Sequence, residues 1–426
     1  MTIHIPRGTI DVLPGEVEKW QYIEAWAREL CQRYNYAEIR TPIFEHTELF
    51  ERGVGEATDI VQKEMYTFLD KGKRSITLRP EGTAPVVRAY VENKLYAEAN
   101  QPQKLFYIGP MFRYERPQAG RLRQFTQIGV EAIGSSDPML DAEVISMAWH
   151  FYQGLGLNQL RLELNSVGCE DCRPRHREAL VAFLKEREDQ LPEEDRQRLA
   201  RNPLRVLDSK HTITQEITKE APSILDYLCS TCRQHFDAVR QYLDALAIPY
   251  HVNPRLVRGL DYYTQTAFEI MCSGFGAIGT ICGGGRYNGL VAEIGGQDKP
   301  GIGFALSMER LLLALESQQI ELPIEKGLDC FVVTLGEEAK TQGFKLVQAW
   351  RQAGLKVELD VLGRGLKGQL KAADRLQARY VVILGDDELD RGVVMLKTMA
   401  TGEQKEYHPD EAQKIIVQSR TREGIE

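Results

Sequence analysis

No apolar run in the 426 residues approaches the roughly 18 that would span a bilayer, and the opening MTIHIPRGTI lacks the apolar stretch of a secretion signal. The sequence therefore reads as cytoplasmic, with no membrane segment. An excess of positive charge is missing too: 53 Lys and Arg stand against 61 Asp and Glu, for a formal net charge of −8. A chain that coats nucleic acid indiscriminately needs the opposite balance, because such binding is driven by phosphate neutralisation. The glycines of GAIGTICGGGRYNGL match neither a P-loop nor a dinucleotide fingerprint. Internal repeats and low-complexity tracts are absent. Cysteine is scarce, and the eight residues are expected as thiols or metal ligands rather than disulfides in a reducing compartment.

What is present suffices for a large core: 43% of residues are hydrophobic and 27% charged, over a length that suits two to four domains. Residues 1–167 mix helices such as EKWQYIEAWARELCQRYNY with strands such as KLFYIGPMFRYE and RQFTQIGVEAIG, which predicts a largely antiparallel sheet with helices. From 168 to 249 strand signals vanish in favour of charged helical runs, as in an inserted helical domain. Strand chemistry returns over 250–320, where GIGFALSMERLLLAL passes from strand into helix. Residues 328–426 alternate strands and helices, which predicts a small, mostly parallel α/β domain. Local basic patches survive the acidic average: four arginines against Glu115 in 113–123, and eight Lys or Arg against three acids in 341–380.

Several stretches carry more chemistry than a fold requires. In QFTQIGVEAIG, strand periodicity puts Gln127, Gly129 and Glu131 on one face and Ile128, Val130 and Ala132 on the other. One face is core; the other lines a polar cavity, with Gly129 leaving room for a small ligand. Arg113 falls at a strand end, where its planar fork suits a phosphate, and the loop RPQAGRLR that follows is either an RNA contact or an ordinary exposed hairpin tip. In TLRPEGTAP, Thr83 is expected to cap a helix with Pro85 in its first turn, which leaves Glu81 facing the mouth of the sheet and a ligand ammonium. Arg310 enters at a helix start, where a cation opposes the dipole; neighbouring Glu309 offers a plain ion pair as the alternative. The nonapeptide LVRGLDYYT at 256–264, taken alone, reads as a turn with a salt bridge and two half-buried aromatics. CEDC at 169–172 and CSTC at 229–232 are each spaced as a zinc knuckle, so Cys169, Cys172, Cys229 and Cys232 make a four-thiolate candidate, with His176 and His235 as spare ligands. Unligated thiols are the alternative, since CSTC inside a continuous helix would fit the knuckle turn poorly.

Together, RPEGTAP, FYIGPMFRYERPQAGRLRQFTQIGVEAIG, RLVRGLDYYT, GGGRYNGL and GIGFALSMERL resemble the motif set of the histidyl-tRNA synthetases, a class II aminoacyl-tRNA synthetase family, in the family's order and along the whole chain. FRYE with Arg113 and SMERLLLAL with Arg310 resemble class II motifs 2 and 3, and LVRGLDYY a motif particular to the histidyl group. The resemblance implies an α+β fold: a class II antiparallel sheet core at 1–167 and 250–320, interrupted by the helical insertion, with 328–426 as an α/β anticodon-binding domain. It implies a homodimeric ligase, with RYNYAEIRTPIFE at 33–45 as the dimer motif, joining L-histidine to tRNA(His) through histidyl-adenylate. ATP with Mg2+ would be consumed, and AMP and diphosphate released.

By the same resemblance, Arg258 and Arg113 are catalytic, and Arg113, Arg121 and Arg310 bind ATP, Arg258 standing where other class II enzymes hold a metal ion. Glu81, Gly82, Thr83, Arg113, Gln127, Glu131, Arg258, Tyr262, Tyr263 and Tyr287 would hold histidine, while Arg116 and Gln118 meet the tRNA acceptor end. Thr126 stands where many members carry histidine, which leaves open any proton relay there. A rival reading is the noncatalytic, histidine-binding regulatory subunit of ATP phosphoribosyltransferase, which resembles the core but lacks the anticodon domain. A synthetase for another amino acid is opposed by LVRGLDYY.

Overall fold

The structure is a computed structural model in which residues 2–55, 58–272 and 279–423 are described. The chain divides into two compact units, Met1–Leu322 and Pro323–Glu426.

The first unit opens with α1 (Val17–Arg33), whose Ile23, Ala27, Leu30 and Cys31 recur at helical spacing and are buried. Short strands β1 (Ala37–Glu38) and β2 (Phe44–His46), helix α2 (Thr47–Val54), the hairpin β3 (Tyr66–Leu69) and β4 (Ser75–Leu78), and helix α3 (Thr83–Glu92) follow. Two ten-residue strands, β5 (Gln103–Phe112) and β6 (Gln124–Ile133), pair antiparallel over their full length. Next come α4 (Pro138–Gly154), with Asp137 capping it by accepting from the Met139 N–H at 2.8 Å, and β7 (Leu160–Ser166).

Helices α5 (Cys172–Lys185), α6 (Glu193–Arg201), α7 (Thr212–Thr218) and α8 (Ser230–Ala245) come between β7 and β8 (Tyr250–Val252). They carry a small core of their own around Leu180, Leu184, Leu199 and Val206. The unit ends with β9 (Thr264–Cys272), β10 (Thr280–Arg286), α9 (Leu290–Glu293), β11 (Gly301–Ser307) and α10 (Met308–Ser317).

Eight of these strands form one sheet in the order β1-β5-β6-β11-β10-β9-β7-β8. Its interior pairs are all antiparallel and only the outermost pairs, β1/β5 and β7/β8, are parallel. One face is apolar: Ile128, Val130 and Ala132 join Phe268, Ile270 and Phe304 in a core shared with α1, α4, α8 and α10. The other face is therefore free to carry polar groups, as the alternation in β6 predicts.

The second unit contains β12 (Cys330–Thr334), α11 (Glu337–Gln352), β13 (Val357–Leu359), α12 (Leu366–Arg375), β14 (Tyr380–Leu384), α13 (Asp386–Asp390), β15 (Val394–Thr398), β16 (Gln404–Tyr407) and α14 (Pro409–Glu423). Its sheet runs β13-β12-β14-β15-β16. The expectation of a mostly parallel sheet needs correcting: β12 is parallel to β13 and β14, but β15 and β16 add two antiparallel pairs. The terminal hairpin is joined by too short a connection for a parallel crossover.

Candidate active site

A cleft of about 900 Å³ opens on the polar face of the large sheet. β6 points Gln127 and Glu131 into it, the start of α3 brings Glu81 and Thr83, and the loop before β9 brings Arg258, Tyr262 and Tyr263. Tyr287, just after β10, packs against Tyr262 with ring centroids 6.0 Å apart, and the Tyr262 and Tyr263 rings are 4.8 Å apart. Arg113 and Arg121 flank the β5–β6 hairpin loop, and Arg310 projects from the first turn of α10.

Glu131 is held where a carboxylate is unwelcome. It is buried, and burial raises its pKa to about 8, an effect that the nearby Tyr287 and Thr83 hydroxyls reduce and the Glu81 charge reinforces. The Thr83 hydroxyl donates to Glu131 Oε1 at 2.7 Å, while Oε2 makes no aligned hydrogen bond among the described residues, although the Tyr287 hydroxyl lies near enough to ease its charge. Gln127 Oε1 and the Tyr287 hydroxyl are likewise buried without a partner aligned for hydrogen bonding. Unsatisfied acceptors and hydroxyls collected in one pocket suit a polar ligand that bonds to them, because each costs free energy while left bare.

The helix start corrects two expectations. Thr83 is not the cap of α3, because its hydroxyl is taken by Glu131. The cap is Glu81, whose two oxygens accept from the Thr83 and Ala84 N–H groups at 2.8 Å each. Gly129 does not leave ligand space either. A Cβ there would lie 2.3 Å from Cζ of Tyr107, and one at Gly82 would lie 2.2 Å from the same atom. Tyr107, which sequence reasoning missed, fills that volume, and its own hydroxyl is buried without an aligned partner. The register Tyr107↔Gly129 was available in principle from pairing the two strands of the hairpin.

Arginines line the same cleft. Arg258 forms an ion pair with Glu269 of β9, which also accepts from the Thr280 hydroxyl at 2.8 Å. Burial works against the Arg258 charge, but Glu269 and the Tyr263 phenol more than offset it and its pKa is raised. A side chain at Gly283 would meet Arg258 Nη2 at 2.2 Å, so the glycine run of β10 gives the guanidinium its path rather than cradling phosphate itself. Arg113 donates to the Pro80 carbonyl at 2.8 Å and lies over the Phe125 ring. Arg310 does not pair with Glu309, which instead accepts from the Thr126 N–H and the Ser307 hydroxyl, each at 2.7 Å. Arg310 donates to the Thr280 carbonyl at 2.7 Å, and burial, reinforced by repulsion from Arg121, lowers its pKa to about 10. It remains cationic at neutral pH with no ion pair among the described residues.

A model of the family described as histidyl-tRNA synthetase matches residues 8–311, and one described as anticodon binding domain matches 329–419. The chain belongs to the histidyl-tRNA synthetase family. It is 60% identical over 425 residues to the histidine–tRNA ligase of Geobacillus thermodenitrificans, covering 99% of this chain and 100% of that one. With that of Geobacillus kaustophilus it shares 63% identity over 406 residues, 95% of each chain. The crystal structure of apo S. aureus histidyl-tRNA synthetase superimposes with a TM-score of 0.83 at 47% identity, covering 97% of this chain and 100% of that one.

Other residues named for this family's chemistry lie off the cleft. Arg116 and Gln118 sit exposed at the hairpin tip, and Thr126 does not line the cleft. Conversely, the helical insertion, read from sequence as a separate body, supplies part of the cleft wall through Arg205, Asp208, Lys210 and Lys219. No periodicity signals such non-local packing.

The four cysteines form a separate cluster with their Sγ atoms all within 4.8 Å of one another. Cys169 Sγ is 3.5 Å from Cys172 Sγ and 3.9 Å from Cys229 Sγ. CSTC does not lie inside a continuous helix: Cys229 is the residue before α8, and Cys172 opens α5, so each pair straddles a loop-to-helix junction. The Cys229 N–H points at Cys172 Sγ at 3.1 Å and the Cys232 N–H at Cys229 Sγ at 3.5 Å. His176 and His235 are not spare ligands, being bonded to the Pro222 carbonyl and to Asp141.

Proposed function

We propose that this chain ligates L-histidine to tRNA(His) in two steps, with ATP entering as its magnesium complex. The observation that carries the reading is that one cleft is lined both by Glu131, Gln127 and Tyr287 and by Arg113, Arg258 and Arg310. A neutral imidazole offers one donor and one acceptor, so a carboxylate and a phenol can read both of its nitrogens. The histidine carboxylate attacks the α-phosphate, the bond to the leaving diphosphate breaks, and charge growing on the phosphate oxygens meets fixed guanidinium groups. In this reading Arg258 and Arg113 serve the α-phosphate, and Arg310 with Arg121 the outer phosphates. The terminal ribose hydroxyl of tRNA then attacks the adenylate carbonyl and AMP leaves. We place the reaction in the cytoplasm, where ATP and tRNA reside; no helix among the described residues is long and apolar enough to cross a membrane.

The noncatalytic regulatory subunit needs histidine contacts but no cations for a transferring phosphate, and it has no use for an anticodon-type unit. Both are present here. Histidine-dependent pyrophosphate exchange by the purified protein, with the other amino acids as controls, tests the reading; binding of histidine without exchange would favour the regulatory alternative.

Arg116 and Gln118 are proposed as contacts to the tRNA acceptor end, because their side chains are exposed beyond the cleft. Changing both to Ala should reduce transfer to tRNA by roughly tenfold while exchange stays within about twofold. Normal charging by the double variant would remove them from the interface. A homodimer through residues 33–45 is proposed on the exposure of Ile43 and Phe44, with Phe68 and Leu69 exposed on the same small sheet.

For the cysteine cluster we propose structural zinc. Four thiolates around Zn2+ at ~2.3 Å stand roughly 3.8 Å apart, which the observed separations approach, and the backbone N–H groups aimed at sulfur suit thiolates. Elemental analysis of protein purified without chelator should give about one zinc per chain. Less than about a tenth, with all four thiols titrating freely, would dispose of the metal.

A further inference from the structure

Gln265 bonds both toward the cysteine cluster and toward the proposed histidine pocket. It lies two positions after Tyr263, in β9, at a bulge: Thr264 pairs with Arg286 and Ala267 with Gly285, so the residues between are extra. Gln265 has φ of +50°, a left-handed conformation uncommon for a residue with a side chain, which surrounding contacts must hold. Those contacts run in two directions. Toward the cysteines, its N–H donates to the Gly168 carbonyl at 2.9 Å and its carbonyl accepts from Val167 at 2.7 Å, directly before CEDC. Its side-chain Nε2 reaches Cys232 Sγ at 3.9 Å, adding a side-chain donor to the backbone donors on these sulfurs. Toward the pocket, its Oε1 accepts from Asn288 Nδ2 at 3.1 Å, and the Asn288 N–H is bonded to the Thr264 hydroxyl at 3.1 Å. Asn288 follows Tyr287, and Thr264 follows Tyr263.

We propose that Gln265 is a positioning residue that couples the cysteine cluster to the histidine pocket, so that filling the cluster with metal sets the affinity for histidine. A bulge re-aims a side chain only as well as it is anchored. A metal-bound Cys232 thiolate gives the Gln265 amide a fixed acceptor, which orients its other end toward Asn288 and so steadies the segment carrying Tyr287. With the metal gone the sulfurs separate, the CEDC turn and the start of α8 lose their clip, and the bulge relaxes. ATP, which the arginines are proposed to hold, should feel little of this, because the Gln265 side-chain bonds run to Cys232 and Asn288 rather than to an arginine. The inference rests on zinc occupying the cluster and on histidine occupying the pocket.

The test is a cycle of four full-length proteins: wild type and Gln265→Gly, each zinc-loaded and each stripped with a mercurial and chelator. Glycine accepts the left-handed backbone and removes both side-chain contacts, so the fold should survive, as the melting temperature will show. Zinc content is measured by elemental analysis, histidine Kd by equilibrium dialysis, and KM for histidine and ATP by pyrophosphate exchange. Stripping wild type should weaken histidine by roughly tenfold and change the ATP KM by less than about twofold. Gln265→Gly should keep its zinc, show most of that loss already, and lose little more on stripping. Equal effects of stripping in both backgrounds, or wild-type affinity in loaded Gln265→Gly, would overturn the coupling. If the purified chain carries no zinc, the metal reading fails separately, and Cys232→Ala replaces stripping in the same cycle. A loss of histidine affinity confined to the Gln265 background then supports the coupling, and an equal or absent loss overturns it.

Discussion

Arg258→Ala should slow histidine-dependent pyrophosphate exchange by about 100-fold or more, corresponding to on the order of 3 kcal/mol of lost transition-state stabilisation. The guanidinium is held by Glu269, it crosses Gly283 closely enough to exclude any side chain there, and it borders the Tyr263 ring at 5.5 Å. It is thus positioned before substrate arrives and costs no reorganisation during reaction. Truncation also has a second effect. Glu269 would lose its cation and leave a carboxylate, still bonded to Thr280, facing the position proposed for the α-phosphate. Part of the loss should therefore be repulsion, and Arg258→Ala combined with Glu269→Gln should recover up to roughly tenfold over the single variant. Arg258→Lys keeps the charge but not the planar fork, and should fall between. Exchange by Arg258→Ala within tenfold of wild type, in protein that melts normally, would end the catalytic assignment.

The parts of the site that could be read in the sequence are those governed by local periodicity. The period-2 alternation of QFTQIGVEAIG put Gln127 and Glu131 on one face of β6 and the core residues on the other, and the chain folds that way. What could not be read depends on where neighbouring elements run. Glu81 rather than Thr83 caps α3, because a carboxylate just ahead of the helix can reach two N–H groups, while the Thr83 hydroxyl is drawn to Glu131, 48 positions away in the chain. Gly129 looked like ligand space because its cross-strand neighbour, Tyr107, was not yet in register with it. Glu309 seemed the natural partner of Arg310, yet it turns to Thr126 on β6, leaving the guanidinium for the cleft. The cysteine spacing was legible, but the loop-to-helix junctions that bring the four sulfurs together were not, since CSTC carries no glycine or proline to mark a helix start. For Thr83 and Glu309 the side chain was assigned within its own segment when a tertiary partner lay nearer.

Glu131→Gln should separate binding from stability in opposite directions. In the proposed pocket Glu131 gives up its proton when histidine binds and accepts from the imidazole N–H, a charge-assisted bond worth about 1.5–3 kcal/mol before the cost of that deprotonation, so the amide should raise the KM for histidine by up to roughly tenfold to a hundredfold. The ATP KM should stay within about twofold, because the arginines are untouched; equal rises in both constants would count against placing histidine here. The empty protein should respond the other way. Glu131 has a pKa near 8 in the fold against an ordinary value of 4.5, with burial as the main cause. Between these values the folded chain keeps a proton that the unfolded chain has released, so folding takes up a proton and stability declines as pH rises through this window. Glutamine carries the same shape and no charge, and removes that decline. Its Thr83 contact survives, since the amide oxygen can still accept the hydroxyl. The variant should therefore melt at least about 2 °C above wild type at pH 8, with the gap closing toward pH 4.5, when both are scanned without histidine. Added histidine should raise the melting temperature of wild type more than that of Glu131→Gln, since only the carboxylate gains a partner for the oxygen that the empty pocket leaves bare. A variant that melts below wild type across the whole range would mean that the carboxylate is satisfied in the empty protein, and with that the argument from its unpartnered oxygen would fall.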